Sequence, residues 1–320
     1  MAPGTSRGRP SRWRTLLFRA GQVLVLGLII YFWGRSLWAN WLELSSYHWR
    51  FYPLYLAASL AVLLLHMLLL AQIWRWTLEF LGLRRPWAET TSIWALSQIA
   101  RYVPGGIWDV AGRLVMSGRA GYSRARVSVS ILLEMVLQTI SAVVVFLLSL
   151  LFWEDALALR PALWAIPLVP AGLIILHPRL LNAVLARAAR LAKVDFVPLP
   201  LRIGQVCLLL ALHVSARLLV GTGFYLFARA VHPWGLEGWP IAIGVFAGAW
   251  VVGFLVFFVP LGLGVREGVM TFLLGMFMPL APASVIAIGF RLWVAIRDVV
   301  FAAVGWLMRR KPAAGDKDHD

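Results

Sequence analysis

The feature that most limits what this chain can become is a series of apolar runs, each near the length of a bilayer crossing, separated by short loops rich in arginine. A hydrocarbon core about 30 Å thick takes about 20 apolar residues as a helix. Runs at 20–37, 53–73, 127–152, 157–177, 203–227, 239–259 and 283–308 meet or approach that length. In lipid a backbone must satisfy its own polar groups, so such runs become helices. The expected fold is therefore all-α, a polytopic transmembrane helical bundle of about six to eight spans. Composition agrees: 61% of residues are apolar and 14% charged, against about 25% charged in soluble domains. The mean hydropathy is +0.80. No stretch is polar enough to build a separate soluble domain.

Charge gives the expected orientation. The net charge of +16 points away from nucleic acid, because the basic residues sit in short loops between apolar runs, as cytoplasmic loops do. Arg7, Arg9, Arg12, Arg14 and Arg19 precede the first run, which should leave from the cytoplasm. A cleaved signal peptide is the rival reading; a retained anchor is preferred because no small-x-small site follows at 34–40. Arg309, Arg310 and Lys311 place the end of the last helix on the same side, so both termini of a multi-pass protein of the cytoplasmic (inner) membrane are expected inside. Residues 1–15 read as a basic cytoplasmic N-terminus, 16–308 as one transmembrane domain, and 309–320 as a disordered cytoplasmic tail. Trp33, Trp38, Trp41, Trp74, Trp76, Trp153 and Trp306 fall near run ends, as interfacial belts would. Cys207 stands alone in an apolar run and reads as a small buried hydrophobe, which rules out a disulfide framework and a cysteine-ligated metal.

Two stretches fit no full crossing. Residues 87–100 carry Glu89, Thr90, Thr91, Ser92, Ser97 and Gln98, and residues 269–280 are shorter still. Arg75, Arg84 and Arg85 precede the first, and Arg113, Arg119, Arg124 and Arg126 follow it, so it should enter and leave on one face as a re-entrant hairpin. Beside these stretches lie Val103-Pro104-Gly105-Gly106 and Val259-Pro260-Leu261-Gly262, two Val-Pro-x-Gly motifs whose prolines are 156 residues apart. Each precedes a long helix with an ionisable residue at a similar offset, Glu134 in one and Arg291 in the other. Pro-Gly breaks helices in any loop; alternatively, broken backbone at membrane depth builds a midplane site in transporters assembled from inverted repeats. On the second reading the repeat units are about 53–152 and 203–308, with a Pro-Gly hairpin entering from each face.

With those motifs in view, the sequence resembles the flippase-like family that includes the transmembrane region of lysylphosphatidylglycerol synthase, the multiple peptide resistance factor of bacteria. The likeness is carried by Gln98-Ile99-Ala100-Arg101-Tyr102-Val103-Pro104-Gly105-Gly106-Ile107-Trp108, by Ala111-Gly112-Arg113, and by Pro260-Leu261-Gly262-Leu263-Gly264-Val265-Arg266-Glu267-Gly268. The helix with Glu134 supports it. The resemblance implies a polytopic domain associated with moving lipids across a bilayer. Leu261 departs from it, standing where the family often has a second glycine. In two-part members an aminoacyltransferase follows this domain; only a short tail follows Met308 here, so lipid aminoacylation is not expected.

Charged residues at membrane depth cost about 2.5–3.5 kcal/mol each on insertion scales and therefore need a partner or a role. Ser130, Glu134, Gln138 and Ser141 share one helical face; so do His213, Arg217, Gly221 and Tyr225, and so do Ser284, Arg291 and Asp298, with Arg297 adjacent. One reading has these charges as interhelical glue, Glu134 pairing with Arg291 or Arg217, and Asp298 with Arg297. The other has the stripes converge on a central polar cavity closed by both hairpins. Arg101, Arg113, Arg217, Arg266, Arg291 and Arg297 then outnumber Asp109, Glu134, Glu267 and Asp298, which suits an anion. Backbone N–H groups at Gly105, Gly106, Gly262 and Gly264 would add donors. The substrate-binding set expected is Arg101, Pro104, Gly105, Gly106, Asp109, Arg113, Glu134, Gln138, Arg217, Gly262, Gly264, Arg266, Glu267 and Arg291. His66 and His213 read as packing residues, with a proton-coupling role for His213 or Glu134 as the alternative.

No nucleotide motif, zinc signature or nucleophile–base arrangement is present, so neither an enzyme nor a cofactor is expected. Gly244 and Gly248 read as a close helix contact. The function expected is translocation of a phosphate-bearing or polyprenyl-phosphate-linked lipid. The alternative is a non-catalytic membrane partner that supplies lipid to a glycosyltransferase or an aminoacyltransferase. The sequence leaves the oligomeric state open.

Overall fold

A computed structural model describes residues 51–102, 108–153, 164, 177–192, 198, 200–256 and 264–310. Among the described residues the structure is helical with no strand: α1 (Pro53–Phe80), α2 (Trp87–Ile99), α3 (Trp108–Arg119), α4 (Arg124–Ser149), α5 (Pro178–Ala192), α6 (Ile203–Val231), α7 (Gly238–Leu255), α8 (Val265–Leu274) and α9 (Leu280–Arg310). A 3-10 turn, Ala100–Tyr102, extends α2, and another, Leu150–Phe152, extends α4. The protein is thus an all-α membrane bundle. By length and composition, four described helices can cross a bilayer: Pro53–Phe80, Arg124–Phe152, Ile203–Val231 and Gly238–Leu255. At 31 residues α9 is long enough too, but Arg291, Arg297 and Asp298 interrupt its apolar run.

Local chemistry sets the ends of these helices. Proline occupies the first position of α1, where its missing N–H costs nothing. After α1 the chain turns through Gly82 at φ 77°, and Leu83 N–H reaches back to the Leu78 carbonyl at 2.8 Å. The end of α3 repeats this device with Gly121 at φ 76° and Tyr122 N–H on the Ser117 carbonyl at 3.0 Å. Only glycine takes that left-handed turn without steric cost.

The long helices pack antiparallel in pairs. At one end of the α1–α6 pair, Tyr52 N–H donates to the Ala230 carbonyl at 3.0 Å; further along, the Ser59 hydroxyl donates to the Gly223 carbonyl at 2.7 Å. On α2 and α9, Ser92 and Ala95 lie against Gly305, Trp94 meets Phe301 edge-on at 6.0 Å, and Tyr102 reaches back to Asp298. On α4 and α7, Phe146 lies against Gly248, while Ser149 and Trp153 lie against Gly244. The α2–α9 and α4–α7 contacts exchange members of the two halves of the chain. The Gly244 and Gly248 contact is the close approach the sequence suggests.

Several expectations are corrected. Cys207 is exposed rather than buried, on the outer face of α6. Trp74 and Trp153 are core residues, 1% and 3% exposed, not belt residues; Trp306, at 43%, does face outward. The second short stretch forms a helix four residues earlier than expected, at Val265–Leu274. The spans expected at 20–37 and 157–177, the N-terminal segment 1–15 and the tail after Arg310 lie wholly or mostly outside the described residues.

Candidate functional site

Mid-helix positions carry the polar residues, and the packing just described turns them toward one another. His66 lies midway along α1 and Arg217 midway along α6, so the antiparallel pair sets them side by side. Glu134 and Gln138 come from α4, Arg113 and Asp109 from α3, Arg266 and Glu267 from the first turn of α8, and Arg291, Arg297 and Asp298 from α9. All of them line one cavity of about 380 Å³.

Most charges in this cavity are tied. Arg113 Nη1 donates to Glu134 Oε2 at 2.5 Å, and Gln138 Nε2 donates to Glu134 Oε1 at 3.0 Å. The expected partners of Glu134, Arg291 and Arg217, are therefore not the ones found, because α3 folds back against α4 and delivers Arg113 first. Arg113 also lies over Trp74 and Trp94, at 5.3 and 5.6 Å from the ring centres. Asp298 accepts from Arg297 Nε at 2.9 Å and Nη2 at 2.6 Å, and from the Tyr102 hydroxyl at 2.8 Å; Arg101 stands 3.8 Å away. Glu267 faces Arg291 at 3.5 Å, and its Oε2 accepts the Gly264 N–H at 2.7 Å. Glu267 thus caps α8, and the Gly264 N–H offered in the sequence reading as a ligand donor is already used.

Two guanidinium groups stand apart. Arg217 donates to the Gln138 carbonyl at 3.1 Å and lies over Trp250, 4.5 Å from its ring centre. Arg266 lies over the same ring at 5.7 Å, and its Nε has no partner. Neither pairs with a described carboxylate. Two cations over one aromatic ring, walled by α6, α7 and α8, form an electropositive pocket.

Of the residues named from sequence, Arg101, Asp109, Arg113, Glu134, Gln138, Arg217, Arg266, Glu267 and Arg291 all line the cavity. Gly264 caps a helix beside it; Pro104, Gly105, Gly106 and Gly262 lie outside the described residues. The polar stripes extend past the cavity, where they serve packing: Ser130 accepts the Trp74 indole N–H at 3.1 Å, Tyr225 donates to the Gly235 carbonyl at 2.8 Å, and Gly221 abuts Ile243. Sequence reading missed Trp250, Gln98 and Tyr102. It set His66 aside as packing, yet His66 lines the cavity with its Nδ1 unpartnered. A polar residue at the centre of an apolar run was the one available signal for it. His213 likewise lines the cavity, with Nδ1 2.7 Å from the Leu209 carbonyl and Nε2 unpartnered.

Residues 15–300 match the family described as lysylphosphatidylglycerol synthase TM region. The chain belongs to that family. No curated protein matches the chain. The lysylphosphatidylglycerol synthase TM region match spans α1 to α8 and most of α9, so every described cavity residue falls within it. Membership makes this a multi-pass membrane protein associated with lipid, and it gives the arginine-lined cavity a setting among acyl chains.

Proposed function

We propose that this protein is a lipid translocase of the cytoplasmic membrane that takes the head group of a phosphate-bearing or polyprenyl-phosphate-linked lipid into the central cavity while the chains stay in the bilayer. One observation carries the reading: six arginines from five elements converge on one cavity against four carboxylates, and two of the six, Arg217 and Arg266, have no acidic partner among the described residues. Guanidinium binds phosphate oxygens bidentately and stays charged when desolvated, whereas a bare surplus of buried positive charge is costly. An anionic head group supplies the missing charge. At about 380 Å³ the cavity falls within the usual range of ligand sites and holds a head group without its chains. The antiparallel exchange of α2–α9 and α4–α7 supports alternating access, one half rocking against the other around the fixed arginines. The two Pro-Gly segments would be the moving re-entrant hairpins, and a gradient or the lipid's own concentration difference would drive the cycle.

The test is head-group transfer in proteoliposomes. Arg217→Ala and Arg291→Ala should each abolish transfer of a labelled anionic phospholipid while the variants remain folded and monodisperse. Unchanged transfer in both would remove the cavity from the mechanism. No transfer by the wild-type chain, together with co-purification of a glycosyltransferase or an aminoacyltransferase, would favour a lipid-supplying partner instead.

A further inference from the structure

We infer that His213 takes up a proton at Nε2 when an anionic head group enters the cavity, so that lipid binding and protonation are linked. The inference rests on the head-group reading above and deepens it by naming an ion that can travel with the lipid. Hydrogen bonding decides which ring nitrogen is free. Nδ1 lies 2.7 Å from the Leu209 carbonyl, which can only accept, so Nδ1 carries the hydrogen. In the neutral ring the lone pair then sits on Nε2, a buried atom with no partner among the described residues. His213 is 2% exposed and lines the cavity. Imidazole is the side chain whose ordinary titration falls between about pH 5 and 8, and His213 and His66 are the two imidazoles among the cavity residues.

Charge supplies the linkage. Six arginines against four carboxylates leave the cavity with a surplus of positive charge, which an imidazolium would increase. The ionisable groups around His213 come from each neighbouring helix that has any. Arg217 is one turn away on α6 itself, α4 brings Glu134, α1 brings His66, and α9 brings Arg291, Arg297 and Asp298 to the same cavity; α7 has none. A phosphodiester seated on Arg217 adds one negative charge and offsets the surplus next to the ring. What the anion does for the proton the proton must do for the anion, because linkage is reciprocal. His66, across on α1, also has an unpartnered Nδ1. Two imidazoliums would repel, so the pair takes one added proton.

Isothermal titration calorimetry of the full chain in a neutral detergent tests this. Dihexanoyl phosphatidylglycerol is the probe, because its phosphodiester stays ionised across the range of about pH 5 to 8 in which imidazole titrates. Titrations at about pH 6.5 in two buffers of different ionisation enthalpy should give a net uptake of up to about one proton per lipid bound. Affinity should rise severalfold, and at most about tenfold, for each unit by which the pH falls. His213→Asn, whose amide can still donate to the Leu209 carbonyl, should abolish the uptake and flatten the pH dependence. Where that variant does not fold, His66→Gln decides: uptake kept there supports His213, and uptake lost there overturns the assignment. Binding by the wild type with no proton uptake and equal affinity across the range overturns the linkage and leaves the head-group site in place. Absence of binding at every pH, with transfer unaltered in Arg217→Ala, overturns the site and the linkage together.

Discussion

Glu267 holds Arg291 at 3.5 Å between α8 and α9, and so repeats, with the charges exchanged, the Arg113–Glu134 pair between α3 and α4. In each half of the chain the short helix after the Pro-Gly motif is fastened to the long helix that follows by one ion pair at the cavity wall. The two fastenings differ in tightness. Arg113 and Glu134 are 7% and 9% exposed and joined by a hydrogen bond of 2.5 Å, whereas Arg291 is 24% exposed and its contact with Glu267 is longer. Of the two short helices, α3 is thus the more firmly held.

Breaking the tighter pair should destabilise the protein far more than removing it whole. Loss of one partner leaves a buried charge uncompensated at a cost of about 3–5 kcal/mol, whereas an apolar replacement of both is often neutral. Arg113→Met alone and Glu134→Leu alone should each lower the unfolding midpoint sharply in detergent, and the double variant should recover most of the loss. Simple additivity of the two single effects would show that the pair is not coupled.

Close helix approach makes a second prediction. A Cβ at Gly305 would come within 2.6 Å of the Ala95 Cβ and 3.5 Å of the Ser92 backbone, so α2 would have to move away from α9. Gly305→Val should cost about 1–3 kcal/mol as an overpacking change. Gly204, in the first turn of α6, has nothing within 4 Å of its added Cβ. Gly204→Ala should be neutral, or stabilising by up to about 1 kcal/mol. Thermal unfolding of both variants checks the contrast, and similar midpoints would mean that α2 and α9 are not in the tight contact described.

A third concerns alkaline pH. Tyr122, between α3 and α4, is 4% exposed with Arg85 over its ring at 4.8 Å. Burial, and then the Glu89 carboxylate, push its phenol above its ordinary value of 10.0. The unfolded chain therefore gives up this proton first as pH rises. Above about pH 10 it binds fewer protons than the folded protein, and stability falls with increasing pH until the folded group ionises too. Tyr122→Phe keeps the ring beneath Arg85 and should flatten this alkaline loss between about pH 9 and pH 11. An unchanged slope in unfolding midpoints against pH would exclude Tyr122 as its source.

How much of this was legible in the sequence follows from which forces are local. Hydrophobic length is local, so runs expected at 53–73, 127–152 and 203–227 became Pro53–Phe80, Arg124–Ser149 and Ile203–Val231. The cost of charge in lipid is also local, which is why the arginines and acids of the cavity could be named before their helices met. Partner choice is not local. Glu134 found Arg113 because a short helix folded back against α4, and no periodicity encodes that. Trp250 was missed for the same reason: on its own helix it is one apolar residue among many, and its role comes from arginines on α6 and α8. Cys207 shows the opposite error, since in a membrane protein an apolar residue is as readily lipid-facing as buried.

Gly253 offers the sharpest way to separate the pocket from the fold. A Cβ there would come within 2.6 Å of Arg266 Nε and crowd the stem of the same side chain, while no backbone atom is among its nearest neighbours. Gly253→Ala should therefore push Arg266 away from Trp250 without separating α7 from α8. Helical alanine is favoured over glycine by about 1 kcal/mol, which offsets much of the strain, so the unfolding midpoint should hardly move. Phosphatidylglycerol binding should fall severalfold, as expected when a guanidinium worth about 1–2 kcal/mol to an anion is displaced. Arg266→Gln should give the same loss, and combining the two changes should add nothing further, because both act through one side chain. A combined effect larger than either alone would mean that Gly253 influences the cavity by some other route, and unchanged binding in Gly253→Ala would mean that Arg266 is free to shift without loss.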